Sequence, residues 1–289
     1  MLSLLLVVKY YEVDINKYIL NSMLFLMIIT IMIAVFDFAG IISIVDLFSM
    51  LPSNIDVHEL FGMVGANDEN VTYYKLYFRT SPLLALLLFY FIEKKKYTLA
   101  TLCEISLILA GTRACVVFPL FFLILYVLKN NFKLNIKKLS CIFLLLLVLV
   151  LIVVYNYDFF YDLIVMNRFA QASNMVRAGH FESWKEIYLY SPEIMIYGQG
   201  IGSYFFSKGA GQYIDEFEWF FLDYIRQMGV GIFLIYFLLI IGPFFLHFNS
   251  LAKKMGWLTL LLIASTNPIL SGSSGAIALI FMYNKSDNT

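Results

Sequence analysis

Apolar runs long enough to cross a bilayer follow one another along this chain, separated by short clusters of lysine. A spanning helix needs ~20 mainly apolar residues, with ~17–25 usual. The candidate spans are Tyr18–Phe36, Leu76–Ile92, Tyr97–Gly111, Thr112–Leu128, Leu139–Tyr157, Phe220–Phe248 and Gly256–Tyr283. They predict an all-α fold: a polytopic transmembrane helix bundle with about seven spans, forming a single membrane domain over residues 1–289. Composition agrees. Hydrophobic residues make up 61% of the chain and charged residues 14%, against ~45–50% and ~25% in a soluble domain. Rossmann enzymes, nucleic-acid binders and secreted disulfide scaffolds are excluded. The formal net charge of zero gives no bulk attraction for a polyanion. Cys103, Cys115 and Cys141 lie inside apolar runs and read as small buried hydrophobes.

Charge placement sets the orientation. Short basic loops prefer the cytoplasm, so Lys9, Lys17, Lys94–Lys96, Lys129, Lys133, Lys137, Lys138, Lys253 and Lys254 are expected inside. Both Lys clusters flanking residues 97–128 can be inside only if the chain crosses twice, which makes Gly111-Thr112-Arg113 the outer turn of a tight hairpin. Outside lie an acidic loop of about residues 37–75 and a long extracytoplasmic loop of about residues 158–219. Asn267-Pro268 and the Gly/Ser run at 271–275 interrupt the last span, so a re-entrant path competes with a full crossing there. Met1–Val8 is too short to span and reads either as a signal-like fragment or as the end of a further helix.

The five arginines (Arg79, Arg113, Arg168, Arg177 and Arg226) all fall on the expected outer side, against the insertion preference. A guanidinium binds phosphate or carboxylate as a planar fork, which an ammonium does not. The set points to an outer anion site at headgroup level. Interfacial snorkelling and local salt bridges are the competing reading for any single one. Arg177, His180, Phe181 and Trp184 are spaced to share one helix face. A cation beside aromatics there suits a sugar or a pyrophosphate, while an amphipathic helix lying on the bilayer explains the same pattern. Pro192 limits that helix. Arg168 falls half a turn from Arg177, so a bend is needed to unite them.

Gly198-Gln199-Gly200-Ile201-Gly202 is no dinucleotide fingerprint, but alternating glycines let backbone amides approach an anion. Asp215, Glu216 and Glu218 precede the next span, where a partly dry carboxylate can serve as a general base; solvated acids flanking a helix are the plainer alternative. His180 is the histidine placed to act there; His58 and His247 lie elsewhere. Asp223 and Arg226 are spaced to pair. Glu104, in mid-span, should face the bundle interior.

Over residues 76–283 the pattern resembles the O-antigen polymerase and O-antigen ligase superfamily of bacterial inner membranes. The marks are Ala110-Gly111-Thr112-Arg113-Ala114, the long loop with Arg177 and Trp184, the Gly198–Ser203 run, and an acidic entry to a span carrying Gly229-x-Gly231. Ligases of this superfamily carry a His where this chain has Glu216 and Glu218, which favours the polymerase side. The resemblance implies polymerisation of undecaprenyl-diphosphate-linked repeat units into O-antigen or capsular polysaccharide, at the outer face of the cytoplasmic membrane. In it Arg113, Arg177, Arg168, Trp184, Gly200 and Gly202 would bind diphosphate and glycan. Glu218, then Glu216, then His180 would supply the base. No cofactor and no metal are implied. The implied partners are the lipid-linked glycan, membrane lipid, a flippase and a chain-length regulator. The alternatives are a ligase, a lipid-linked oligosaccharide flippase or transporter, and a non-catalytic partner of capsule machinery.

Overall fold

The computed structural model describes residues 15–42, 61–64, 76–130, 168–217, 219–246, 250–267, 269–270 and 272–283. The fifth candidate span (139–157), most of the first acidic loop, Cys141, His58, His247, Glu218, Pro268 and Ser271 lie outside the described residues. The described residues are mostly helical, at 75% helix with few strands. Its helices are α1 (Ile15–Phe38), α2 (Leu84–Glu93), α3 (Tyr97–Leu109), α4 (Arg113–Asn130), α5 (Arg168–Tyr190), α6 (Ile194–Tyr197), α7 (Phe220–Leu246), α8 (Leu251–Ser265) and α9 (Ser273–Tyr283). Two short antiparallel pairs accompany them, β1 (Phe61–Val64) with β2 (Leu76–Phe78) and β3 (Phe205–Ser207) with β4 (Gln212–Ile214).

Among the described residues, two helices are long and apolar enough to cross a membrane, Ile15–Phe38 and Phe220–Gly242, and Ser81–Glu93, Tyr97–Leu109 and Ser274–Tyr283 are shorter apolar helices. The expected span Leu76–Ile92 starts later than its hydropathy suggests. Leu76–Phe78 is a strand paired with Phe61–Val64, and helix begins only through the turn at Ser81-Pro82-Leu83. Proline there is tolerated because the first helical N–H groups need no intrahelical acceptor.

α2 is the centre of the bundle. Leu84 through Phe89 are all buried, as expected of a helix apolar on every face, and α2 packs against α3 and α8. Gly256 of α8 lets the two helices approach: a Cβ there would sit 3.1 Å from Phe89 Cβ. This is the small-residue contact favoured between helices in lipid. Trp257 is fully buried and donates its Nε1–H to the Ile240 carbonyl (3.0 Å), tying α8 to α7. Tyr283 of α9 donates to the Leu239 carbonyl (2.6 Å). The interruption of the last apolar run separates α8 from α9, with Gly275 pressed on the Leu270 backbone. Cys103 and Cys115 are buried and unbridged, and the Cys103 thiol contacts the Met27 sulfur at 3.3 Å.

α3 and α4 form the expected hairpin. Gly111, at φ +66°, reverses the chain between Leu109 and Arg113, a conformation that a residue without Cβ adopts freely.

Candidate functional site

Residues 168–217 fold into a small subdomain on top of α7, and its organising side chain is Arg226. This guanidinium is fully buried, and all its donors are engaged. Nε donates to Asp223 Oδ1 (2.8 Å), and Nη2 pairs with the same carboxylate (2.7 Å). Nη1 donates to Gln199 Oε1, the Ser203 carbonyl and Ser203 Oγ, each at 2.9 Å, and Nη2 donates to the Asp215 carbonyl (2.7 Å). The Phe205 ring lies 4.4 Å below the guanidinium carbon, within cation–π range. Gln227 completes the cluster, donating to Asp223 Oδ2 (2.8 Å) and accepting from the Gly202 amide (3.2 Å). A buried charge is tolerable only when its partners are complete, and they are complete here. Arg226 therefore leaves the expected set of anion-binding arginines.

The glycine run has the same destination. α7 is broken at Gly229, which takes φ +73° and ψ 163°. The break frees carbonyls one turn earlier, and the loop fills them. Gln199 N donates to the Arg226 carbonyl (2.7 Å) and Gly200 N to the Gln227 carbonyl (3.0 Å). Gly200 and Gly202 were expected to turn their amides toward an anion. Both amides are instead taken up by residue 227, so the loop is a cap for a broken helix.

His180 was expected to be a candidate base. It is 4% exposed, its Nδ1 lies 2.6 Å from Ser207 Oγ, and its ring packs on Phe217 (5.7 Å between centroids). Ser207 is itself fully buried and its Oγ accepts the Ala210 amide (3.0 Å). This pins the β3–β4 hairpin under α5 and does not present a base to a ligand. Two glycines allow the approach, since a Cβ on Gly179 would fall 2.3 Å from Gly209 N and one on Gly209 would fall 2.0 Å from the Val176 carbonyl.

α5 runs as one helix from Arg168 to Tyr190 and ends before Pro192. Arg168 is therefore carried half a turn away from Arg177; its side chain lies outside the described residues. The face shared by His180 and Trp184 is turned inward. Trp184 is half-buried and donates its Nε1–H to the Leu222 carbonyl (3.0 Å), with its ring against Tyr188 and stacked on Phe181. Trp184 thus clamps α5 to α7.

Arg113 and Arg177 are both half-buried. Arg113 Nη2 donates to Asn174 Oδ1 (3.0 Å), which ties the α3–α4 turn to α5 one helical turn before Arg177. Asn174 and Arg177 are three apart and neighbours on the helix surface. Glu216 is exposed just ahead of α7.

Features that sequence reasoning passed over complete the subdomain. Tyr188 has a buried hydroxyl without a hydrogen-bond partner among the described residues, and desolvation pushes its pKa up to about 12, so it stays neutral. Lys208 pairs with Glu186, and that hydrogen bond raises the ammonium above its usual range. Glu186 and Lys208 line a cleft of about 340 Å³ between α5, α6, the glycine loop and β3. Only the i, i+22 separation of Glu186 and Lys208 marked the pair, and that carries no signal in a sequence. Glu104, in α3, has both carboxylate oxygens buried and without a hydrogen-bond partner among the described residues.

No family model, curated protein or solved structure matches the chain.

Proposed function

We propose that the protein is a multi-pass enzyme of the bacterial cytoplasmic membrane that polymerises undecaprenyl-diphosphate-linked oligosaccharide repeat units, with the 168–217 subdomain on the extracytoplasmic side. The observation that carries this reading is the bond between Arg113 and Asn174. It draws an arginine at a helix-hairpin turn to the helix that carries Arg177, where the apolar bundle gives way to the polar subdomain. Two guanidinium forks at that boundary suit a membrane-anchored diphosphate. The seven-span topology belongs to the same proposal, because it puts the lysine clusters inside and both arginines outside.

The chemistry asks little of the protein. The acceptor hydroxyl of one repeat unit attacks the anomeric carbon of another, the bond from that carbon to the diphosphate oxygen breaks, and the diphosphate leaves on its lipid. Arg113 and Arg177 hold and neutralise the leaving group. The hydroxyl proton passes to a carboxylate, for which Glu216 and Glu218 are the candidates, since His180 is buried under the hairpin. Binding of the diphosphate by preorganised forks supplies electrostatic stabilisation without a metal.

The test is reconstitution. Purified protein in nanodiscs, given lipid-diphosphate repeat units, should lengthen glycan without nucleotide sugar. Movement of the lipid without chain growth would mark a flippase. Transfer only to a lipid A acceptor would mark a ligase. Neither product would leave a non-catalytic partner.

A further inference from the structure

We propose that the cleft beside the Arg226 cluster is a saccharide-binding site that grips a pyranose ring of the glycan; only the origin of that sugar rests on the polymerase reading. The cleft holds about 340 Å³ and is lined by Ser183, Glu186, Tyr190, Gln199, Phe206 and Lys208, among others. That volume stands at the low end of the ~300–1,000 Å³ of small-molecule sites. Its walls carry the two chemistries a pyranose needs.

The first is an uncovered aromatic surface. β3 alternates, so Phe205 turns in under Arg226 and Ser207 turns in to His180, while Phe206 between them is 50% exposed. Phe206 meets Tyr213 of β4 edge to face at 5.6 Å. Tyr190, at the end of α5, is 85% exposed. Water-facing rings of this size have large apolar faces, and the C–H face of a pyranose covers such a ring while its hydroxyls stay at the rim.

The second is a fixed polar rim. Arg226 can only donate, so Gln199 must turn its carbonyl oxygen toward it, which leaves the Gln199 Nε2 hydrogens as oriented donors on the opposite side of the amide. Glu186 supplies carboxylate acceptors and Lys208 an ammonium, locked together across the same cleft. Arg226, outside the cleft, fixes the Gln199 amide, and Glu186 and Lys208 hold one another within it, so donor, acceptor and cation are in place before any ligand arrives, which is the arrangement that gives orientation and specificity to a small-molecule site.

Saturation-transfer NMR on the protein in nanodiscs tests this with methyl glycosides of glucose, galactose, mannose, rhamnose, N-acetylglucosamine, N-acetylgalactosamine and glucuronic acid. At least one should bind, and Tyr190→Ala and Phe206→Ala should each weaken it at least tenfold, with Tyr190→Phe retaining it. Both rings are exposed, so these variants should fold, and unchanged thermal unfolding verifies that. Binding by none of the glycosides, or equal binding by the alanine variants, overturns the proposal. The assay needs no turnover. Sugar binding that depends on Tyr190 in a protein that makes no polymer would sustain the cleft and sink the polymerase reading. Normal polymerisation with no sugar binding would do the reverse. In an active preparation, a raised KM for the repeat unit in Tyr190→Ala places the gripped sugar on the incoming unit; an unchanged KM with at least twofold shorter polymer places it on the growing chain.

Discussion

Gly198 and Gly229 lie backbone to backbone. A Cβ on Gly198 would sit 2.4 Å from the Gln227 carbonyl oxygen and 2.7 Å from Gly229 N, and one on Gly229 would sit 2.1 Å from the Ile196 carbonyl oxygen. Both have φ near +70° (+74° and +73°). Neither position tolerates a side chain, because the clash is with backbone on both sides and the left-handed conformation strains any L residue.

Gly198→Ala and Gly229→Ala should therefore detach the loop from the break in α7. Positive φ alone costs ~1–3 kcal/mol, and the steric conflict adds to it. Limited proteolysis reads the outcome: Lys208 should become a trypsin site at concentrations that leave the parent protein intact. Gly231→Ala, with nothing within 4 Å of its Cβ position, should leave the digestion unchanged.

Arg226 should be the most sensitive charge in the subdomain. Removing one partner from a buried ion pair costs ~3–5 kcal/mol. Arg226→Ala and Asp223→Ala are expected to lower the unfolding temperature of the subdomain strongly, and the double variant should lose less than the sum of the two. Additive losses in that cycle would mean that the two side chains are not coupled.

Much of this was legible in the sequence, and where it was not, the reason is physical. The helix through Arg177–Trp184, its end before Pro192, the turn at Gly111 and the pairing of Asp223 with Arg226 follow from local rules: periodicity, proline, glycine and i, i+3 spacing. The destination of the Gly200 and Gly202 amides was not legible, because both go to Gln227, a distant residue beside the helix break at Gly229: Gly200 to its carbonyl and Gly202 to its side chain. The burial of His180 depends on Gly179 meeting Gly209, again a long-range contact. Hydropathy likewise cannot distinguish Leu76–Phe78 as a strand from the start of a span, since both are apolar.

Orientation is checked by thiol labelling in a background without native cysteines. Glu182 is exposed on α5 and Lys94 is exposed in the turn between α2 and α3. Glu182→Cys should react with an impermeant maleimide in cells whose outer barrier is opened, and Lys94→Cys only after lysis. The opposite pattern would invert the topology and remove the outer diphosphate site with it.

Arg113→Lys and Arg177→Lys keep the charge and lose the planar fork. Each should cut polymer formation at least tenfold at normal protein level, equivalent to ~1.4 kcal/mol or more of lost transition-state stabilisation. Asn174→Ala removes the acceptor that holds Arg113 and should lower activity less than either. Wild-type polymer from Arg177→Lys would take that residue out of the site.

The base assignment turns on substitutions that separate proton transfer from folding. Glu216→Gln and Glu218→Gln keep size and hydrogen bonding while removing basicity. The true base should lose polymer formation by ~10²–10⁴-fold, the usual contribution of a positioned acid–base group, with lipid-diphosphate binding intact. The other carboxylate should tolerate the change, since a single positioned base takes the one hydroxyl proton. His180→Ala is expected to behave differently. It leaves the Ser207 hydroxyl without its ring partner and opens a cavity beside Phe217, so it should lower the unfolding temperature while the surviving folded fraction keeps the parent pH profile. A shifted pH profile in a stably folded His180→Ala protein would return the histidine to the reaction.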